Sequence, residues 1–190
     1  MLMRAPAPPY RGEGPHALWH VSEDATLQRF VPHRARTALT DELLVWAVDT
    51  RHLPLFWFPR QCPRSTYWAS ARTTDDDVAR FLDGRRDLRV HVIEADWHER
   101  VATTQLVLYR MPEATFSEDV DVAGYWRSRE PVEPVERQMV EGLVERHDEA
   151  GIALRTAENL WPLWDQVTAS TLEFSGIRLR NALPRPDRAL

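Results

Sequence analysis

The feature that most constrains the fold is an unbroken apolar run, LLVWAV, at residues 43–48. A run of this length that includes β-branched residues is typical of a strand buried on both faces. Such a strand must lie in the interior of a sheet, because both of its faces need cover. Asp49 and Thr50 follow with turn-forming side chains, and Pro54 cannot donate a backbone hydrogen bond to a ladder. The run therefore predicts an interior strand over residues 43–48.

Shorter patterns predict the remaining elements. Further strands are predicted at residues 17–21, 65–68, 88–95, 104–111, 124–129 and 152–155. Helices are predicted to begin at Thr74, to run from Val135 to about Glu149, and to begin after Asn159. Because strands dominate the first two thirds and helices cluster late, we predict a single α+β domain with a central mixed or antiparallel sheet. The predicted domain spans residues 16–183, between flexible tails at 1–15 and 184–190.

The composition argues against several classes of function. All 24 basic residues are arginine, so no lysine is available for a Schiff base or a phosphate-binding loop. A formal net charge of −5 gives no broad attraction to nucleic acid or to an anionic membrane. The single cysteine, Cys62, excludes an internal disulfide. The sequence has no apolar segment long enough to suggest a membrane anchor. We therefore predict a cytoplasmic protein that binds neither nucleic acid nor membrane.

Specific catalytic signatures are missing from the sequence: it contains no glycine-rich dinucleotide loop, no metalloprotease helix and no hydrolase nucleophile elbow. His91 and His98, with acids nearby, are predicted to form a surface cluster rather than a metal site. Trp126, beside Tyr125 in an arginine-rich segment, is a candidate to stack on a ring of a ligand. Four other tryptophans are predicted to lie in the core, at positions 46, 57, 161 and 164.

Five polar residues beside apolar segments are candidates for a functional site. His20 and Ser22 are two residues apart in a predicted strand and so share a face, from which they can present a donor pair to a ligand. Arg60 and Arg64 lie on a loop and can grip a carboxylate or phosphate. Glu130 directly follows the arginine-rich strand predicted at residues 124–129. The alternative is structural: a buried histidine with local partners, solvated arginines and a salt-bridged surface glutamate.

Longer strings of the sequence look familiar together, namely LWHVSED, VWAVDTRHLP with FPRQCPR, GYWRSREPVEP and NLWPLWDQVTASTLEFSGIRLRNA. They resemble a bacterial protein family of unknown function, over about residues 17–183. A second resemblance is to the ADP-ribosyltransferase-like fold. That fold has a histidine or an arginine on its first strand, followed by a small hydroxyl residue, an aromatic residue near the next core strand, and a catalytic glutamate on a late strand. His20 and Ser22 match the first element, Trp46 or Tyr67 the aromatic residue, and Glu130 the glutamate.

This second resemblance implies NAD, or a related nucleotide, as the ligand. His20 and Ser22 would bind the nicotinamide ribose and carboxamide, and Arg60 or Arg64 would hold the pyrophosphate. Glu130 would bind a ribose hydroxyl and stabilise the oxocarbenium-like transition state as nicotinamide leaves. The competing hypothesis is a non-enzymatic binding or interaction domain, in which arginine and aromatic side chains line a cleft for a small anionic ligand or a partner.

Overall fold

The computed structural model describes residues 17–34, 42–119 and 124–186, so the tail predicted at residues 1–15 lies outside the described residues. The strands are β1 Leu18–Ser22, β2 Val45–Asp49, β3 Arg64–Trp68, β4 Arg89–Glu94, β5 Leu106–Met111, β6 Ser117–Glu118, β7 Tyr125–Ser128, β8 Glu136–Val140, β9 Ile152–Ala157 and β10 Glu173–Ile177. The α-helices are α1 Asp75–Phe81, α2 His98–Thr103, α3 Leu143–Glu149 and α4 Trp161–Thr168. Short 3-10 helices occupy Leu53–Phe56, Ala95–Trp97, Glu113–Thr115 and Leu179–Asn181. The predicted α+β class is confirmed.

The chain divides into two compact units, each built from two separate stretches of sequence. The first unit comprises Met1–Trp57 and Gln105–Glu141, and the second comprises Phe58–Thr104 and Gly142–Leu190. Each unit contains its own sheet, one antiparallel and one mixed, so both kinds of sheet allowed by the sequence are present. Because each unit is closed by a second stretch far along the chain, neither is a contiguous piece of sequence.

The first unit is a six-stranded antiparallel sheet in the order β6-β7-β2-β1-β5-β8. The predicted interior strand is β2, which pairs with β1 on one side and β7 on the other. It begins two residues later than predicted, because Leu43 is exposed and Leu44 forms only an isolated bridge with His33. One face of the sheet carries a core that consists of Leu18, Phe30, Val45, Ala47, Val107, Tyr109, Met111, Trp126 and Val132.

The second unit is a four-stranded mixed sheet in the order β10-β3-β4-β9, in which β4 and β9 are parallel. Helix α1 begins as predicted, since the Thr74 hydroxyl accepts a hydrogen bond from the Asp77 amide and three aspartates occupy the first turn. Helices α1 and α4 cover a core that consists of Tyr67, Val78, Phe81, Leu82, Leu88, Val90, Val92, Leu160, Val167 and Leu172.

One predicted helix is helical only in its second part. The helix expected from Val135 to about Glu149 is strand β8 in its first part, and only Leu143–Glu149 is helical. Residues 136–140 pair with β5, from Glu136 opposite Arg110 to Val140 opposite Leu106. Gly142 then adopts a left-handed backbone with φ of 60°, which glycine reaches without steric cost, and this residue separates strand from helix. The apolar spacing at 135, 139 and 143 therefore reflects two elements and not one.

The tryptophans were predicted only in part. Trp57 is buried as predicted, but Trp46, Trp161 and Trp164 are partly exposed. Trp126, the proposed stacking residue, is buried in the core of the first unit because it faces inward with Ala47 of the neighbouring strand. Trp126 is therefore a core residue.

The longest helix in the described part of the chain has eight residues, whereas a membrane-spanning helix needs about 20. No described helix is long and apolar enough to cross a membrane.

Candidate functional site

His20 lies on β1 and is held by two contacts within the first unit. Its ring Nδ1 donates a hydrogen bond of 2.8 Å to the backbone carbonyl of Trp46, and its ring packs against Phe30 with centroids 4.7 Å apart. Because a carbonyl only accepts, Nδ1 carries a proton. The Trp46 side chain lies on the opposite face of the sheet, since Trp46 pairs with Arg127 while the core residue Ala47 pairs with Trp126.

Ser22 ends β1 and organises the turn that follows. Its hydroxyl accepts a hydrogen bond from the Asp24 amide, and the Asp24 carboxylate accepts from both the amide and the hydroxyl of Thr26. The Thr26 hydroxyl, more than its amide, lowers the pKa of Asp24. The hydroxyl of Tyr109 on β5 donates to the Asp24 carbonyl at 2.6 Å and fixes this turn to the sheet. Ser22 is half-buried, so its hydroxyl is a local cap at an accessible end of the strand.

Glu130 lies two residues beyond β7 and is exposed. Its backbone is fixed, because the Glu130 amide donates to the Ser128 hydroxyl at 3.1 Å and that hydroxyl lies 3.0 Å from the Thr115 hydroxyl. Val132 follows in an antiparallel bridge with Phe30, whose ring contacts His20. The backbone on both sides of Glu130 is thus held by hydrogen bonds within the first unit, while its carboxylate extends to solvent.

The register of the sheet places Ser22 and Glu130 towards the same end. Strands β1 and β7 run in the same direction, because each is antiparallel to β2. Trp19, Val48 and Tyr125 lie in one row across the three strands, and three residues further along come Ser22, which ends β1, and Ser128, which ends β7. At about 4.8 Å between neighbouring strands, β1 and β7 are roughly 10 Å apart. The strand of His20 and the strand that precedes Glu130 therefore finish at the same end of the sheet, although more than a hundred residues separate His20 from Glu130 in sequence.

The two candidate arginines belong to the second unit and differ from each other. Arg60 is exposed on the loop before β3, and its carbonyl accepts a hydrogen bond from Nε of Arg178. Arg64 is only 3% exposed; its guanidinium donates to the Cys62 carbonyl at 2.9 Å and lies over the ring of Phe58. The five candidates are therefore distributed as three residues in the first unit and two in the second.

A histidine pair in the second unit was not predicted. His91 is buried on β4 and pairs with His147 of α3, not with His98, which is exposed; the predicted surface cluster is therefore wrong. His147 Nδ1 donates to the Leu143 carbonyl at 2.6 Å, and His91 Nδ1 donates to His147 Nε2 at 3.0 Å. Among the described residues, the buried Nε2 of His91 has no hydrogen-bond partner. The two histidines are 56 positions apart, so no local spacing in the sequence could show the pair.

Both histidines are held neutral. Burial, followed by the neighbouring His147 and then Arg89 and Arg64, keeps the pKa of His91 well below its usual range. Burial lowers the pKa of His147 from 6.5 to about 4, against the opposing effect of its hydrogen bond to the Leu143 carbonyl.

The single cysteine of the chain is unsuited to nucleophilic chemistry in this fold. Burial raises the pKa of Cys62 to about 12, so it remains a thiol at neutral pH. Within the described residues, no group of three or more histidine, cysteine, aspartate or glutamate side chains is arranged to hold a metal ion.

These features define an α+β protein. Its candidate polar residues match no sequence motif of known chemistry. The chain belongs to DUF6886, a family of unknown function, whose family model matches residues 19–182. The resemblance to an uncharacterised family seen in the sequence is thereby confirmed. No curated protein and no solved structure shows significant similarity to the chain.

Proposed function

We propose that the first unit is an ADP-ribosyltransferase-like domain that binds NAD or a related nucleotide at the end of its sheet where β1 terminates. The observation that supports this proposal is the register: β1, which ends at Ser22, and β7, which ends two residues before Glu130, run in the same direction about two strand spacings apart. The resemblance expects a histidine and a hydroxyl on the first strand and a glutamate on a late strand; here Glu130 lies two residues beyond the late strand β7.

The proposed roles follow from the contacts of each residue. The Trp46 carbonyl accepts from Nδ1 of His20 and so orients the ring, which would contact the nicotinamide ribose. Ser22 contributes a hydroxyl from the same face of β1. The exposed carboxylate of Glu130 stabilises positive charge on the ribose as nicotinamide leaves. A role for Arg60 and Arg64 in holding pyrophosphate stays a separate prediction, and this proposal does not depend on it.

The experiment is a comparison of binding and turnover in Glu130→Gln. Isothermal titration with NAD measures binding, and release of nicotinamide measures turnover. Glu130→Gln keeps the size of the side chain and removes its charge, so it should lower turnover at least a hundredfold while binding changes less than threefold. Glu133→Gln is the matched control, because Glu133 is an exposed glutamate of the same loop and should behave like the wild type.

Three outcomes separate the hypotheses. Turnover that is lost in Glu130→Gln and kept in Glu133→Gln supports the enzyme. Binding of NAD without turnover in the wild type supports the non-enzymatic binding domain, with a small anionic or nucleotide ligand. Absence of heat on titration with NAD at millimolar concentration would exclude NAD as the ligand in both hypotheses.

A further inference from the structure

The last described residues of the chain run as an extended segment over the second unit. Ala182 has φ of −67° and ψ of 159°. Leu183 and Arg185 each precede a proline, which disfavours helical backbone and leaves extended conformations. Residues 183–186, with the sequence LPRP, are called the tail segment below. Proline-containing extended segments are a form that binding grooves recognise well, since they lose little conformational entropy on binding.

Side chains of the second unit satisfy three successive backbone groups of the tail segment. Both carboxylate oxygens of Glu94 accept from the Leu183 amide at 3.0 Å. The indole Nε1 of Trp161 donates to the Leu183 carbonyl at 2.8 Å, and the side-chain Nδ2 of Asn159 donates to the Pro184 carbonyl at 2.9 Å. Such contacts to backbone groups fix the direction and register of an extended peptide whatever its side chains are.

Arg185 supplies the contact that depends on side-chain identity. Its guanidinium lies over the ring of Trp161, 4.2 Å from the centroid, and its Nη1 donates to both carboxylate oxygens of Asp165 at 2.9 and 3.1 Å. Stacking on an indole and charge-assisted hydrogen bonding to a carboxylate together favour arginine. The same tryptophan therefore binds the peptide backbone with its edge and the arginine with its face.

A buried carboxylate, Glu94, depends on the tail segment for one of its hydrogen-bond donors. Its side chain is buried, with the residue only 3% exposed, and its carboxylate accepts from the amides of Leu183 and Leu160. A buried carboxylate is costly unless hydrogen-bond donors satisfy it. The tail segment supplies one of these donors, so the second unit presents a polar site that an extended backbone completes.

We propose that Glu94, Asn159, Trp161 and Asp165 form a recognition site for an extended Leu-Pro-Arg peptide, and that the tail segment occupies this site as a tethered ligand. The site belongs to the second unit and is independent of the function proposed for the first unit. A short tether gives its ligand an effective concentration of about 1 mM. A free peptide therefore competes poorly with the tail segment, and release of the segment opens the site to a peptide from another chain.

The test uses the full chain with Arg185→Glu, which removes the stack on Trp161 and sets two carboxylates against each other. A fluorescent peptide of sequence NALPRPD is titrated, and binding is followed by anisotropy. The Arg185→Glu chain should bind this peptide at least tenfold more tightly than the wild-type chain does. Arg180→Glu is the matched control: it makes the same charge change at an exposed arginine close to the segment, and its affinity should equal that of the wild type.

Specificity is measured by two further changes. Asp165→Ala, added to Arg185→Glu, should weaken peptide binding at least tenfold. A peptide in which glutamate replaces arginine should also bind at least tenfold more weakly to Arg185→Glu.

Release of the tail segment is measured separately by hydrogen exchange at the Leu183 amide, which should be at least tenfold faster in Arg185→Glu than in the wild type. Faster exchange with no peptide binding at millimolar concentration would overturn the proposal, as would unchanged exchange or binding that ignores Asp165. Circular dichroism shows that each variant is folded.

Discussion

Acid should destabilise the protein through the buried histidine pair before it protonates the carboxylates. Protonation of His147 at Nε2 would break the hydrogen bond between the two rings, because two donors would then face each other, and the bond from His147 to the Leu143 carbonyl would be left alone. It would also place a positive charge in a buried site near Arg64 and Arg146. Folding therefore requires both rings to be neutral.

The size of the effect follows from the pKa difference between the folded and unfolded states. The pKa of His147 is about 4 in the fold and 6.5 in the unfolded chain, so between these values the unfolded chain binds a proton that the folded chain does not. Stability from this group is fully present above pH 6.5 and is lost as the pH falls, by about 3 kcal/mol in all. His91 has a depressed pKa and adds a loss of the same sign. Between pH 7 and pH 5 the titration of His147 alone should cost about 2 kcal/mol.

The assay is urea denaturation followed by tryptophan fluorescence in buffers from pH 7 to pH 5. His147→Gln keeps a hydrogen-bond acceptor for His91 and removes one titrating ring, so over this range its unfolding free energy should fall by about 2 kcal/mol less than that of the wild type. His98→Gln is the matched control, since His98 is exposed on α2, and it should follow the wild-type curve. A wild-type unfolding free energy that is constant between pH 7 and pH 5 would refute the neutral buried pair.

Three further substitutions test packing, capping and backbone conformation. Phe81→Ala should lower the free energy of unfolding by about 3–5 kcal/mol in urea titration, because Phe81 is 5% exposed in the core of the second unit; a loss below about 1 kcal/mol would contradict this. Thr74→Ala should cost about 1 kcal/mol through loss of the α1 cap, and an unchanged midpoint would show that the cap is not needed. Gly124→Ala should be clearly worse than Gly84→Ala in thermal unfolding: both have positive φ, but only at position 124 does a methyl group lie 2.0 Å from the His52 ring. Equal melting temperatures would show that the His52 ring moves aside without cost.

Local sequence determined those elements whose signals lie within a few neighbouring residues. Helix α1 was predictable because its cap at Thr74 and its first-turn aspartates act on amides within one turn. The interior strand was predictable because a run of apolar residues needs cover on both faces wherever it lies in the fold.

The candidate site was predictable as a set of residue types but not as a geometry. The sequence singled out His20, Ser22 and Glu130, yet their relation depends on the register of β7 against β2 and of β2 against β1. Register is a pairing between distant strands, and a shift of one residue would reverse every side chain. The contacts of Arg185 with Trp161 and Asp165 could likewise not be predicted, since they join residues 20 or more positions apart in sequence.

Tertiary structure alone decided the outcome where local preference and distant pairing disagreed. Residues 136–140 have apolar spacing that suits a helix, but they are a strand because β5 offers backbone hydrogen bonds along their whole length. The residues around His91 in the sequence predict only an ordinary strand. In the fold His91 is buried and neutral, and α3 brings His147 to its ring. The sequence by itself determined the class of the fold and the interior strand, because burial and capping are properties of neighbouring residues. The structure decided which distant groups meet, because hydrogen bonds and charge–charge effects act over a few ångströms in space and not over positions in sequence.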